Sequence, residues 1–281
     1  MSAADIDLNL THNGRLYVFL ARQLAAQGFR SVRLDFCGLG DSVLTDSQLE
    51  NVTYPATAFR DVELVLSDLQ HRFAAGRIVL MGLCSGAYVA FQSAAQIQTP
   101  ALVESVLINP LTFFWREGMS LETSSTRQLA SIHYYIGAAL EPRRWLKLFT
   151  GQSTIGIVGT IKIVLRKLRL LRLTKPAARI DSNVGRRVVG PGHPLKEDLP
   201  GDLNRIVRLR RNLALFFATT DPGYSILTFH ANRKVKQLRR SGKLNVSFIS
   251  DADHTFSTRA ARQTLGREIL EYLCHRYRKL D

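Results

Sequence analysis

A chain of 281 residues is long enough for one large α/β domain with an insertion or for two small domains, and its 46% hydrophobic content is ordinary for a globular protein. Its net charge of +15 is concentrated: 17 Lys/Arg against 5 Asp/Glu lie between Glu141 and Arg211, a net of +12 that leaves about +3 elsewhere. The three cysteines, Cys37, Cys84 and Cys274, have no metal-ligand spacing and no even disulfide set, so no metal or cofactor is expected and a reducing, cytoplasmic setting is.

In chain order, the N-terminal MSAADIDLNLTHNG has no charged start followed by an apolar run, so no signal peptide is expected. No stretch reaches the roughly 18 uncharged apolar residues of a membrane span. Asp5 to Leu10 alternates weakly and reads as a short strand. Arg15 to Gln27 has helical periodicity, with Gly28 as its stop. Ser31 to Phe36 is a predicted strand leading into the loop 37–42, where Asp35 and Asp41 shape the turn. Phe59 to Ala74 predicts a helix stopped by Gly76; a buried strand Ile78–Met81 follows, then a small-residue helix Tyr88–Ala95 and a strand Val103–Ile108.

From Leu111 to Arg211 the rhythm changes. Only helices are predicted there, at Ser125–Ala139, Pro142–Phe149, Ile155–Leu173 and Asp198–Leu209, with an irregular loop Thr174–Pro194 between the last two. The alternation then resumes: strand Leu213–Ala218, helix Tyr224–Arg239 with Gly242 as stop, strand Leu244–Ile249, and helix Ser257–Tyr277 with Ser257 as N-cap. Helix, glycine, apolar strand occurs three times. That grammar predicts an α/β fold with a mostly parallel sheet covered by helices on both faces. The expected organisation is a core in two parts, 1–111 and 212–281, around a basic helical cap at 112–211.

The chemistry centres on Gly82-Leu83-Cys84-Ser85-Gly86-Ala87. A strand, a glycine-flanked turn and a helix form a nucleophile elbow, which presents one side chain on a strained turn. The elbow needs small residues two positions to either side of the nucleophile. Around Cys84 these are Gly82 and Gly86; around Ser85 they are Leu83 and Ala87, so the frame favours Cys84. A helix N-terminus would also favour its thiolate. The bland alternative is a glycine-rich turn around an inert buried cysteine.

A cysteine nucleophile needs a base, and the base an orienting acid. On a sheet of this kind they follow in the order nucleophile, acid, histidine, each just past a strand. Asp221 follows Leu213–Ala218 and His254 follows Leu244–Ile249, both at the edge where Cys84 should emerge. Asp251 and Asp253 share the loop of His254 and are poorly placed behind its ring. The strand Val103–Ile108 ends in Asn109-Pro110, without a carboxylate. His71, His133, His193, His230 and His275 fall on predicted helices or the cap loop and read as surface or packing residues.

These residues carry a resemblance. LDFCGLGDS, GLCSGA, INPLTFFW, TTDPG and DADHTFS resemble the α/β-hydrolases of the capped, serine-aminopeptidase-like type, and within it bacterial hydrolases found with exopolysaccharide or exosortase systems. The resemblance runs from about Arg15 to the C-terminus, with GLCSGA and DADHTFS its specific motifs. It implies Cys84 as nucleophile, Asp221 as triad acid and His254 as general base. The expected reaction is hydrolysis of an ester or thioester through an acyl-enzyme, with acyl transfer as the alternative outcome. Against that family the N-terminal strands are missing or shortened. Asp5–Leu10 would be the third strand, and the His12-Asn13-Gly14 loop after it would supply an oxyanion-hole N–H from Asn13, beside that of Ser85.

Within the cap, Ile155–Leu173 is amphipathic, with Lys162, Arg166 and Arg169 on one stripe and Ile161, Val164, Leu165, Leu168 and Leu171 on another. It reads as a cap helix over the site mouth with a solvated basic face. A second reading is contact with an anionic partner: a phosphopantetheine carrier, an anionic lipid surface or an acidic glycan. In that case the fold could serve as a non-catalytic docking protein. Nucleic acid is not expected, because no recognition motif accompanies the charge.

Overall fold

The computed structural model describes residues 6–10, 16–39, 42, 52–119 and 191–278. Contacts group the chain into one unit, Met1–Leu129 with Gly190–Asp281, and a second, Ala130–Val189, outside the described residues. The predicted helices Ser125–Ala139, Pro142–Phe149 and Ile155–Leu173 also lie outside them, as do Asn13, Asp41, His133 and most of the loop 174–194.

Strands and helices alternate through the described residues. They are β1 (Ile6–Leu10), α1 (Leu16–Ala26), β2 (Arg30–Leu34), α2 (Ala58–Phe73), β3 (Ile78–Leu83), α3 (Ser85–Gln96), β4 (Leu102–Ile108), α4 (Leu199–Arg208), β5 (Asn212–Ala218), α5 (Gly223–Arg240), β6 (Leu244–Ile249) and α6 (Arg259–Tyr277). The strands form one sheet in the order β2-β1-β3-β4-β5-β6, every pair parallel. Ile6 in β1 stands opposite Arg30 on one side and Ile78 on the other. The chain therefore grows outward to β2, returns across β1 to β3, and grows the other way. The crevice past the strand ends at such a reversal is where α/β sheets bind ligands.

Successive strand residues face opposite layers. Leu80, Leu107 and Leu215 pack with Phe59, Val62, Phe91, Leu203 and Ile226 beneath α2, α3, α4 and α5. Met81, Val106 and Phe216 pack with Leu16, Leu20, Leu265 and Ile269 beneath α1 and α6. Being covered on both faces, β3 is buried at every position and reads in sequence as one apolar run.

The strand predicted over Ser31–Phe36 ends at Leu34 and that over Ile78–Met81 continues to Leu83, and three helix ends also differ from expectation. The residue ending α2 in the left-handed conformation is Ala74 (φ 49°), two residues before Gly76. The cap of α6 is Thr258, whose side chain accepts from Ala261 N–H, while Ser257 N–H donates to Asp253. Helix α3 starts at Ser85 and not at Tyr88, because the elbow passes straight into helical backbone. Gly28 (φ 88°) and Gly242 (φ 67°) do take the left-handed turn their positions predict.

Arg211, which in sequence belongs to the basic stretch, is only 1% exposed. Its guanidinium donates to the carbonyls of Ala94 (2.7 Å), Ile97 (2.6 Å), Thr99 (2.8 Å) and Leu102 (3.0 Å). It thus gathers the end of α3 and the start of β4, and burial lowers its pKa to about 10. Arg211→Met strands those carbonyls and is expected to cost about 3–5 kcal/mol. Urea unfolding measures it; an unchanged midpoint would contradict the role.

Candidate active site

The elbow is strained and pinned. Cys84 has φ 56° and ψ −114°, a backbone region that costs a non-glycine residue about 1–3 kcal/mol and persists only where neighbours enforce it. Those neighbours are identifiable. Cys84 N–H donates to Ile108 O in β4 (2.9 Å), and Leu83 N–H donates to the Tyr17 hydroxyl from α1 (2.7 Å). A Cβ on Gly82 would stand 2.2 Å from the backbone of Gly86, so this end of β3 requires glycine for space. Cys84 is half-buried, and Ser85 opens α3, where first-turn N–H groups have no intrahelical partner.

Asp221 and His254 meet, although 33 residues separate them. His254 Nδ1 lies 2.6 Å from Asp221 Oδ2, and the other carboxylate oxygen accepts from Gly223 N–H (2.9 Å). The Asp221 side chain is 1% exposed. Since a carboxylate only accepts, Nδ1 carries the hydrogen and Nε2 faces the other way. Nε2 is buried with no hydrogen-bond partner among the described residues. Burial alone would lower the imidazole pKa. The Asp221 bond and then the Cys84 sulfur outweigh burial and push it up to about 10. Cys84 is thus near enough to act on the ring, without a bond of normal geometry to it.

Asn109, in sequence only a strand end without a carboxylate, ties the site together. It is buried at φ 42°, a conformation asparagine tolerates better than most residues. Its Oδ1 accepts from Ala218 N–H (2.8 Å) and its Nδ2 donates to His254 O (2.7 Å). One side chain thereby joins the ends of β4 and β5 to the histidine loop. Asn before Pro at a strand end was the available signal. Asp253 is occupied by Ser257, and His71 and His230 bond to Ser67 O and Glu197, away from the pair.

The sequence matches the α/β hydrolase family over residues 10–265. The chain belongs to that family. No curated protein matches this hydrolase at a significant level. Among solved structures it is similar to an Agrobacterium tumefaciens protein of unknown function (TM-score 0.51, 13% identity, 100% of this chain and 88% of that one). It is similar also to a bromoperoxidase from Bacillus anthracis (TM-score 0.51, 12% identity, 97% and 92%). At these identities the likeness concerns the fold. No helix among the described residues of this hydrolase is long and apolar enough to cross a membrane.

Proposed function

We propose that this hydrolase cleaves ester or thioester bonds through a Cys84–His254–Asp221 triad. The observation that carries the reading is the 2.6 Å Asp221–His254 bond beside a strained cysteine elbow. His254 Nε2 takes the Cys84 proton and Sγ attacks the acyl carbon. The new oxyanion is met by Ser85 N–H, with Asn13 N–H as the second backbone donor. The leaving alcohol or thiol departs with the proton from Nε2. Water then gives a proton to Nε2 and its oxygen attacks the thioester, so that Sγ leaves with that proton and the acid is released.

Acyl transfer differs only in the second acceptor and uses the same residues. GLCSGA and DADHTFS support membership of the capped, serine-aminopeptidase-like group and of the exopolysaccharide- or exosortase-associated hydrolases. The cysteine content supports a cytoplasmic setting, and the charge of 141–211 supports an anionic carrier or membrane surface as partner. That charge alone favours the competing reading, a non-catalytic protein docking through a basic cap. Such a protein would bind anionic vesicles in a salt-sensitive way and alkylate at Cys84 slowly, with no dependence on His254.

The test is acylation. Incubated with p-nitrophenyl esters and short acyl thioesters, the protein should gain the mass of one acyl group at Cys84, and Cys84→Ala should gain none. Neither turnover nor acylation in the unmodified protein would sink the reading.

A further inference from the structure

Among the described residues, five buried side-chain polar atoms lack a hydrogen-bond partner: Ser31 Oγ, Tyr54 OH, Ser93 Oγ, Asn212 Oδ1 and His254 Nε2. Two of these, Tyr54 OH and His254 Nε2, belong to residues that feel the charge of Cys84. The orphaned nitrogen of His254 is accounted for by the thiol it would deprotonate. The phenol has no such account, and buried hydroxyls are seldom left unsatisfied.

Tyr54 is only 3% exposed, and everything except its hydroxyl is fixed. Its ring stacks on Trp115 (4.1 Å between centroids, 20° between planes) and meets the Tyr88 ring edge-on at 5.4 Å. Its carbonyl lies 3.2 Å from His193 Nε2, while His193 Nδ1 lies 2.8 Å from the Tyr88 hydroxyl. A carbonyl only accepts, so Nε2 donates to it and Nδ1 accepts from Tyr88. Burial, which holds the His193 pKa below its ordinary value, keeps that ring neutral and suited to both bonds. Tyr88 in turn stands one helical turn from the elbow, its N–H donating to Cys84 O (3.2 Å).

The contrast with the other partnered tyrosines is clear. The Tyr17 hydroxyl serves Leu83, that of Tyr88 serves His193, and those of Tyr272 and Tyr277 serve Glu104. Each is used inside the fold. The Tyr54 hydroxyl is held as rigidly and has no hydrogen-bond partner among the described residues. Burial, and after it the nearness of Cys84, keep its pKa above the ordinary phenol value, so it remains a proton-bearing donor.

We infer that the Tyr54 hydroxyl donates a hydrogen bond to the acyl oxygen of a substrate attacked by Cys84, a side-chain member of the oxyanion site beside Ser85 N–H. The inference rests on the acyl-transfer reading above. No covalent bond to Tyr54 forms or breaks. The O–H shortens its contact as the carbonyl oxygen gains charge, and relaxes when the tetrahedral adduct collapses. A rigid donor of this kind needs no reorganisation at the moment of reaction.

The experiment compares the full chain with Tyr54→Phe in three measurements: kcat/KM for p-nitrophenyl acetate, Cys84 alkylation by iodoacetamide, and thermal unfolding. Alkylation generates no oxyanion. The expected result is a fall in kcat/KM of about 100-fold, alkylation within about twofold of the parent, and an unfolding midpoint that is not lowered. Equal kcat/KM in the variant and an active parent overturns the role of Tyr54 and leaves the acyl-transfer reading standing. An inert parent overturns both. A parallel loss of esterolysis, alkylation and thermal stability would make Tyr54 a packing residue and overturn the inference.

Discussion

His254→Ala is expected to slow acylation of Cys84 by at least about 10³-fold, because base, leaving-group acid and water activator are one imidazole. The expectation follows from how completely that ring is committed. Nδ1 is taken by a buried carboxylate whose second oxygen is taken by Gly223, so only Nε2 is left for proton transfer. The pH dependence has a definite sign. The folded-state pKa, about 10, lies above the ordinary 6.5, so the native chain holds this proton more tightly than the unfolded one. The stabilisation is fully present below about pH 6.5 and is lost as pH rises through about 10. Urea unfolding of parent and variant should therefore show a stability difference that shrinks over that window. Across the same upper limit kcat/KM should decline, since the leaving group takes its proton from the imidazolium. Equal acylation rates in parent and variant would remove His254 from the chemistry.

The fold and the acid–base pair were legible because both are written locally. Apolar runs ending in Asp221 and His254 give strand ends, and parallel pairing brings strand ends to one edge. What escaped depends on distant partners. Tyr88 and His193 are 105 residues apart and His193 and Tyr54 are 139 apart, so no spacing rule links them. Glu104 sits inside a strand read as apolar. It is buried, accepts from the Tyr272 and Tyr277 hydroxyls of α6, and lies 3.3 Å from Arg276 Nε. Burial raises its pKa against the pull of those partners. Arg211 counts as surface charge in a sequence tally and is instead internal scaffolding. Ala74, and not a glycine, takes the left-handed turn that ends α2, and that turn carries the N–H of the following Ala75 back to Leu69 O (3.5 Å).

The second large effect concerns Gly82, whose substitution tests whether the elbow's geometry, and not only its cysteine, makes the site. In Gly82→Ala the new methyl would stand 2.2 Å from both the carbonyl carbon and oxygen of Gly86, and 2.6 Å from Ala87 N. All three are backbone atoms at the start of α3, so no side-chain rotation relieves the overlap. Gly82 does not take a left-handed φ, and the objection is therefore one of space alone. Relief requires β3 and α3 to part, which pulls on the Cys84–Ile108 and Leu83–Tyr17 bonds that hold the strained φ of 56°. We expect a loss of about 3 kcal/mol or more in urea unfolding, together with loss of the His254-dependent part of Cys84 alkylation. Gly28→Ala is the internal contrast: nothing lies within 4 Å of its added Cβ, only the φ of 88° resists it, and about 1 kcal/mol is expected. If the two variants unfolded at the same urea concentration, close approach of α3 to β3 could not be what presents Cys84. If Gly82→Ala proved unstable yet kept full histidine-dependent reactivity, the strained turn would belong to the fold alone, and reactivity would come from the Asp221–His254 pair without it.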